Sequence, residues 1–152
     1  MNRDISTFLK NHKTQPNFIN DIFDIDQINT IPIKSGVYLL ISEKQKFVYP
    51  NGLSKVIYIG KAVNLKSRLK THHRHSNELK NLPKNKKNSD WFYSRYQYVA
   101  KFGSKVYWFT TRGKQDSKNL ESKIIEQFYN KYFSLPVGNG AFSFKKQKTI
   151  EI

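Results

Sequence analysis

The feature that most constrains the fold is a pair of apolar runs separated by a turn signal. The first run, GVYLLIS at 36–42, is rich in β-branched and aromatic residues, which favour a strand. The second run, KVIYIG at 55–60, has the same character, and the Pro-Asn-Gly tripeptide at 50–52 predicts a turn between them. The sequence therefore predicts two antiparallel strands joined by a long connection.

A third strand and several helices complete the predicted architecture. SKVYWFTT at 104–111 has strand character, and Asn64 is a good N-cap for the helix that follows the second strand. We expect a small α+β fold with helices on a three-stranded antiparallel sheet. The predicted helices occupy 3–11, 17–28, 65–73 and 91–102, and a last helix ends at about Tyr132. Ser89 or Asp90 is the predicted N-cap of 91–102, and Asp116 or Ser117 is the predicted N-cap of the last helix. The polar segment 77–90, broken by a proline, is predicted to be a loop.

Length and composition favour a single domain over 1–152 in the cytoplasm. A chain of 152 residues with 38% hydrophobic residues can build one sizeable core. It has no cysteine, which excludes disulfides and thiolate metal sites and fits a reducing compartment. No apolar run reaches the length of a membrane span, and the first residues do not resemble a signal peptide.

The charge of the chain predicts a polyanionic partner. It has 27 Lys and Arg residues against 11 Asp and Glu residues, a net charge of +16. Residues 61–118 alone hold 15 basic and 3 acidic side chains. Nucleic acid is the leading partner. A solvated basic surface is the plainer alternative, and an anionic membrane is disfavoured because no basic helix has a bulky apolar face.

The most informative segment is SKVIYIGKAVNLKSRLKTHH at 54–73. Tyr58 lies near the end of a strand that finishes in glycine, and Lys61 follows directly. Arg68 and His72 are four residues apart on the predicted helix, so they share a face. A strand end, a tight glycine and a cationic helix face together favour a phosphate pocket.

Four short motifs, in this order, resemble those of the GIY-YIG nuclease superfamily. GVY at 36–38 and YIG at 58–60 resemble its two signatures, and YIGKAVNLKSRL is similar to the N-terminal incision domain of the bacterial excinuclease C subunit. LESKII at 120–125 resembles the family's glutamate-bearing helix, and PVGN at 136–139 resembles the end of its core.

The resemblance implies catalytic roles for four residues of the first motifs. Tyr38 and Tyr58 match the motif tyrosines, Arg68 matches the catalytic arginine, and His72 matches a position that is His or Tyr in the family. Tyr58 is then the candidate general base for an attacking water, because nearby positive charge favours the phenolate. The plainer interpretation of both tyrosines is ordinary strand packing.

The resemblance also implies one metal ion and two further residues. Glu121 matches the metal-binding carboxylate, with Mg²⁺ as the expected ion and Mn²⁺ as a substitute. Lys61 matches a lysine that often follows YIG, and Asn139 matches the structural asparagine near the end of the core. Glu121 has a plainer alternative as a helix-start acid, with Glu126 as the substitute ligand. The histidines at 72–75 could suggest zinc, but no second ligand cluster accompanies them.

The resemblance covers residues 31–140 and leaves other segments unmatched. These are an N-terminal helical extension at 1–30 and a basic C-terminal tail at 141–152. Within the core, 19 residues at 39–57 separate the motifs, and about 74–90 look like a basic insertion. The aromatic residues at 91–98 suit base stacking or, more simply, core packing.

These features together favour a Mg²⁺-dependent endonuclease of restriction type that acts on double-stranded DNA. Free-standing nucleases of repair, phage or mobile elements are the alternatives within the same class. A DNA-binding module without catalysis is the alternative from another class, and a basic RNA-associated structural protein explains only the charge. One such site cuts one strand, so a double-strand cut needs a homo-oligomer or two successive events.

Overall fold

The strands of the molecule form an antiparallel sheet and a separate small hairpin. The structure, a computed structural model, describes residues 3–83 and 95–139. In chain order, the strands are β1 (Asn17–Ile19), β2 (Gly36–Ser42), β3 (Phe47–Tyr49), β4 (Gly52–Ser54), β5 (Val56–Ala62) and β6 (Ser104–Thr110). The helices are α1 (Arg3–Ser6), α2 (Ile25–Ile28), α3 (Leu65–Lys80), α4 (Arg95–Phe102) and α5 (Lys114–Tyr132), followed by a 3₁₀ helix (Val137–Asn139).

β2 lies inside the four-stranded sheet, whose order is β1-β6-β2-β5. It pairs antiparallel with β5, where Tyr38 faces Gly60, and with β6, where Tyr38 faces Trp108. All seven residues of β2 are buried, because strands flank it on both sides and helices cover both faces. The predicted α+β fold with an antiparallel sheet is confirmed, and its three predicted strands are β2, β5 and β6.

The sheet has a fourth strand where the sequence predicts a helix over 17–28. β1 pairs antiparallel with β6, and the Phe18 ring stacks on the Tyr107 ring at a centroid distance of 5.2 Å. Asp21 then accepts a hydrogen bond from the Phe23 N–H at 2.9 Å, a local turn that interrupts a helix. Pairing with an open strand edge outweighs the weak preference of a short isolated helix. The helix prediction is therefore wrong for the first half of this segment, and only α2 remains of it.

The N-terminal extension as a whole is less helical than predicted. α1 covers four residues of the predicted 3–11, and Asn11 has a φ of 60°, in the left-handed region that a helix cannot continue through. Phe8 is nevertheless buried, and its ring centroid lies 5.1 Å from that of Phe128 on α5. The extension therefore packs on the same core as the motif strands.

The long connection between the motifs contains a second, two-stranded sheet. β3 and β4 pair antiparallel around the predicted turn, where Gly52 adopts a φ of 127° that suits glycine. The buried Tyr49 of β3 places its ring 5.3 Å from the Phe128 ring, and its hydroxyl accepts a hydrogen bond from the Val137 N–H at 3.0 Å. The connection thus supports α5 and the 3₁₀ helix.

α3 begins where the sequence predicts and ends later. The Asn64 side chain accepts a hydrogen bond from the Ser67 N–H at 3.1 Å, which confirms the predicted N-cap. The predicted end is His73, but the buried stripe that starts at Leu65 continues to Leu79. Burial of that longer stripe stabilises two additional turns.

Part of the predicted basic insertion at about 74–90 is therefore helical, since 74–80 belong to α3. Residues 84–94 lie outside the described residues, and with them the predicted caps of the next helix and the first of its aromatic side chains. The predicted basic tail at 141–152 also lies outside them.

α5 is the longest described helix, with 19 residues. The predicted N-cap at Asp116 or Ser117 is wrong, because the helix begins at Lys114 and its N-cap residue, Gly113, makes no side-chain capping bond. Its first turn is closed by the Ser117 hydroxyl, which donates to the Gly113 carbonyl at 3.0 Å. Phe133 ends it in the left-handed conformation at a φ of 60°. Within 3–83 and 95–139, no helix combines the length and the apolar character required to cross a bilayer.

Helices cover both faces of the four-stranded sheet. α3 and α4 lie on the face to which Tyr38 and Tyr58 point, and α5 packs against β2 and β5 from the other face. Side chains alternate along a strand, so Tyr58 and Lys61, three residues apart on β5, lie on opposite faces. Because β5 is an edge strand, the residues on both of its faces lie at the same edge of the sheet.

Candidate active site

The centre of the site is a buried hydrogen bond between β2 and α3. The Tyr38 hydroxyl and the His72 Nε2 lie 2.7 Å apart, and both side chains are fully buried. Burial raises the pKa of Tyr38 above its usual value. Burial, with the positive charges of Arg95 and Arg68, lowers the pKa of His72 to about 3. Both groups are therefore neutral at pH 7.

Tyr58 of β5 completes an aromatic cluster with this pair. Its ring centroid lies 5.9 Å from that of Tyr38 and 5.8 Å from that of His72, and its side chain is half-buried. A Cβ at Gly60 would lie 2.6 Å from Tyr58 Cε2 and 2.7 Å from the Tyr38 hydroxyl oxygen. The glycine of the YIG motif is therefore the residue that lets the two motif tyrosines meet.

Arg68 stands at the exposed border of this cluster. It lies on α3 one turn before His72, and its side chain is exposed. Its charge acts on both Tyr38 and His72, which sets it close to the buried pair. No carboxylate in residues 3–83 or 95–139 forms an ion pair with it. An accessible, unneutralised guanidinium is well suited to bind a phosphate.

Lys61 and Glu121 form a second group on the other face of β5. Lys61 Nζ lies 3.4 Å from Glu121 Oε1, with 42% of the lysine side chain and 19% of the glutamate side chain exposed. No hydrogen bond or ion pair of the described residues joins this pair to the aromatic cluster. The structure thus places six predicted site residues in two groups, on the two faces of one outer strand.

Glu121 is the described side chain that suits a divalent ion at this edge. No group of three or more His, Cys, Asp or Glu side chains in the described parts of the chain could hold a metal. A single, partly accessible carboxylate still fits Mg²⁺, which keeps several waters and takes its remaining oxygens from a phosphate. Glu126, the substitute ligand, is exposed and five residues further along α5.

Asn139 acts on the backbone of β5. Its side-chain oxygen accepts a hydrogen bond from the Ile59 N–H and its amide donates to the Ile59 carbonyl, both at 2.9 Å. The two bonds reproduce what a neighbouring strand would make at this open edge. Gly138 permits the approach, because a Cβ there would lie 2.6 Å from the Ile57 carbonyl oxygen. Asn139 therefore holds the end of the described chain against the edge of β5.

Arg95 is a residue of the site that the sequence analysis does not single out. Its Cζ lies 5.0 Å from the centroid of the Tyr58 ring and 4.6 Å from that of Tyr96. Its Nη2 donates to the Tyr96 hydroxyl at 3.1 Å. The one signal in the sequence is a single arginine in the aromatic segment YSRYQY at 93–98. That signal is weak because spacing alone does not say that α4 crosses β5 at Tyr58.

Fold and site together define a small α+β domain that gathers neutral aromatic groups, two arginines and one accessible carboxylate at a sheet edge. Comparison of the sequence with known proteins finds a match to the UvrABC system protein C of two Campylobacter jejuni strains. The identity is 31% over 107 residues, which cover 70% of this chain and 15% of that protein.

The chain thus corresponds to a small part of the length of the curated relatives it matches. No family model matches the sequence, and no solved structure matches it. The similarity supports a distant, partial relationship to UvrABC system protein C, in agreement with the resemblance that the motifs indicate.

Proposed function

We propose that the chain is a Mg²⁺-dependent endonuclease of restriction type that hydrolyses phosphodiester bonds of double-stranded DNA. The observation that carries the proposal is the position of Tyr58, which packs against the neutral Tyr38–His72 pair and has the Arg95 guanidinium over its ring. The charge of the exposed Arg68 acts on the same pair. The partial similarity to UvrABC system protein C and the net charge of +16 support it.

Arg68 is assigned to the phosphate. Its guanidinium is exposed and without a carboxylate partner among the described residues, so it can donate two hydrogen bonds to the non-bridging oxygens. It then stabilises the negative charge that develops on those oxygens as the water attacks.

Tyr58, as its phenolate, is assigned to the water. It takes one proton from the water while the water oxygen forms a bond to phosphorus and the bond from phosphorus to the 3′ oxygen breaks. The leaving oxygen acquires a proton from solvent, and the products are a 5′-phosphate and a 3′-hydroxyl. Deprotonating the nucleophile at the moment of attack is general base catalysis.

His72 is assigned to positioning rather than to storage of a proton. A pKa of about 3 means that the imidazole does not hold an added proton at pH 7. Its Nε2 is also engaged with the Tyr38 hydroxyl. Together these two side chains present a rigid, neutral surface against which the Tyr58 ring packs.

Glu121 is the residue that would hold the Mg²⁺ ion, and Lys61 keeps its carboxylate oriented. When bound, the ion supplies positive charge to the phosphate and to the leaving oxygen. One ion is proposed, because Glu121 is the one carboxylate in the two groups of site residues and the described residues hold no cluster of three or more metal ligands.

The test is cleavage of a supercoiled plasmid by the purified chain in Mg²⁺, with EDTA added in a parallel reaction. We expect cleavage that EDTA abolishes. We expect Arg68→Ala and Glu121→Gln each to lower the rate of cleavage by about 10²–10³-fold. Matched controls are Arg74→Ala and Glu78→Gln, both on α3, which remove the same charges from exposed positions. Full cleavage by Arg68→Ala or Glu121→Gln would contradict the proposal.

The products distinguish the restriction-type nuclease from the alternatives. Discrete linear fragments with one sequence at every end support restriction-type cleavage. Nicks at scattered positions support a repair-type nuclease, which the similarity to UvrABC system protein C favours as second candidate. Salt-sensitive DNA binding without cleavage supports a non-catalytic module. Cleavage at a rate that rises with the square of protein concentration indicates a homo-dimer.

A further inference from the structure

Arg95 belongs to none of the motifs, yet it contacts the proposed general base directly. Its guanidinium carbon lies 5.0 Å from the Tyr58 ring centroid, while its Nη2 is fixed by the Tyr96 hydroxyl at 3.1 Å. The ring centroids of His72 and Tyr96 are 5.2 Å apart. The arginine therefore lies within the aromatic cluster, between α4 and the outer strand.

The surroundings of Arg95 differ from those of Arg68. Arg68 is exposed, whereas Arg95 is half-buried and its Nε is inaccessible and without a hydrogen-bond partner among the described residues. Neither 3–83 nor 95–139 contains a carboxylate that pairs with it. A partly buried guanidinium keeps more of its electrostatic effect on neighbouring groups than a solvated one.

Packing fixes Arg95 and Tyr58 together. A Cβ at Gly138 would lie 3.1 Å from Arg95 Cβ and 3.1 Å from Tyr58 Cβ, so these two residues and the 3₁₀ helix meet at one point. The next residue, Asn139, is hydrogen-bonded to Ile59, the neighbour of Tyr58 in β5. The Cβ atoms of the arginine and the tyrosine therefore both pack against the backbone of the 3₁₀ helix at the edge of the sheet.

We propose that Arg95 is a positioning residue for Tyr58: it fixes the orientation of the ring and stabilises the negative charge that Tyr58 carries as the general base. This inference rests on the proposed nuclease function. A guanidinium over an aromatic face attracts even the neutral ring, and it attracts a phenolate more strongly. Arg68 then serves the phosphate and Arg95 serves the base, so the two arginines are not interchangeable.

The first experiment compares the pH dependence of single-turnover plasmid cleavage for wild type, Arg95→Met and Arg95→Lys. We expect Arg95→Met to reduce the rate at pH 7 by about 30-fold and to move the alkaline rise of the rate to higher pH. We expect Arg95→Lys, which keeps the charge and loses the planar stacking, to restore most of the pH profile but not the full rate. DNA binding should change by less than about threefold.

The matched control is Lys101→Met, which removes one exposed positive charge from the same helix and should keep both the rate and the pH profile. If the wild-type chain cleaves DNA and Arg95→Met has the same pH profile as the wild type, the inference is overturned and the proposed nuclease function stays intact. A loss confined to DNA binding would have the same meaning, because Arg95 would then contact the substrate. Absence of cleavage by wild type would instead refute the proposed function.

A second experiment tests the contact itself, without DNA or metal. In a ¹⁵N correlation spectrum of the arginine Nε–Hε groups, one signal should be protected from solvent exchange and should disappear in Arg95→Lys. We expect Tyr58→Leu to shift that signal and Tyr129→Leu, at an exposed position on α5, to leave it unchanged. A signal that does not respond to Tyr58→Leu would overturn the inference even if the chain is a nuclease.

Discussion

The two faces of the outer strand β5 hold their site residues by different means. On one face, Tyr58 packs into a buried cluster with Tyr38 and His72, where a glycine leaves just enough room. On the other face, Lys61 and Glu121 meet through one ion pair at 3.4 Å that is partly exposed. The aromatic face is fixed by packing, so its changes should affect folding. The ionic face is held weakly, so its changes should affect chemistry alone.

The most disruptive test of this difference is Gly60→Ala. The new methyl group would lie within 2.7 Å of both motif tyrosines, and the fully buried Tyr38 has no space to move. We expect the free energy of unfolding to fall by about 3 kcal/mol, as for overpacked cores, and cleavage to be lost. Chemical denaturation measures the first. Gly113→Ala is the control, because a Cβ there meets nothing within 4 Å; equal losses for both variants would contradict the packing argument.

Acid should weaken the aromatic face through His72. Its pKa is about 3 in the folded chain against about 6.5 for a solvent-exposed histidine, so below pH 6.5 the unfolded chain binds a proton that the folded chain does not. The stability that the neutral His72 side chain contributes to the fold is fully present above pH 6.5 and is lost as the pH falls towards 3. Between pH 6.5 and 5 we expect this group to remove about 2 kcal/mol from the free energy of unfolding.

The measurement is the difference in the free energy of unfolding between wild type and His72→Gln across that pH range. Glutamine cannot titrate, and the effects of all other titrating groups are the same in both chains and cancel in the difference. The slope of wild-type stability against pH should be steeper than that of the variant. Parallel curves would show that the imidazole is not held neutral by burial, Arg95 and Arg68.

Tyr38→Phe tests the hydrogen bond within the same cluster. The substitution keeps the ring and removes the hydroxyl, which leaves the buried His72 Nε2 without its partner. We expect a loss of about 1–2 kcal/mol in the free energy of unfolding. Tyr129→Phe, at a position that is 52% exposed, should change it by less than about 0.5 kcal/mol. An equally small change in Tyr38→Phe would show that the bond does not stabilise the fold.

The smallest effect on stability should come from the ionic face. Lys61→Met removes an ion pair whose lysine is 42% exposed, and such pairs contribute about 0–1 kcal/mol. A double-mutant cycle with Glu121→Gln should give a coupling free energy in the same range. A coupling near that of the Tyr38–His72 bond would mean that both faces are equally rigid, and would remove the distinction between them.

Much of the fold follows from the sequence where pattern and packing agree. The strand runs, the Asn64 cap and the helix α5 are all present, because local preference and tertiary burial favour the same structure there. β1 is different. Its sequence carries a mixed helical pattern, and only the open edge of β6 decides that it forms a strand. No local pattern contains that information.

In the candidate site, too, some residues follow from the sequence pattern and others only from the tertiary structure. The motif spacing, with the family resemblance, selects Tyr38, Tyr58 and His72, and the structure brings their side chains together. Their catalytic roles stay predictions. Arg95 is recognisable only when α4 lies across β5, since 37 positions of sequence separate it from Tyr58.

The hydrogen bonds of Asn139 have a consequence for the order of events in folding. They join Ile59 to a residue 80 positions later, so the outer edge of β5 stays open until nearly all of the described chain has been synthesised. Contacts of such long range are made late, because a large loop must close before they form. A growing chain therefore cannot complete the backbone contacts behind Tyr58 before Asn139 has been made.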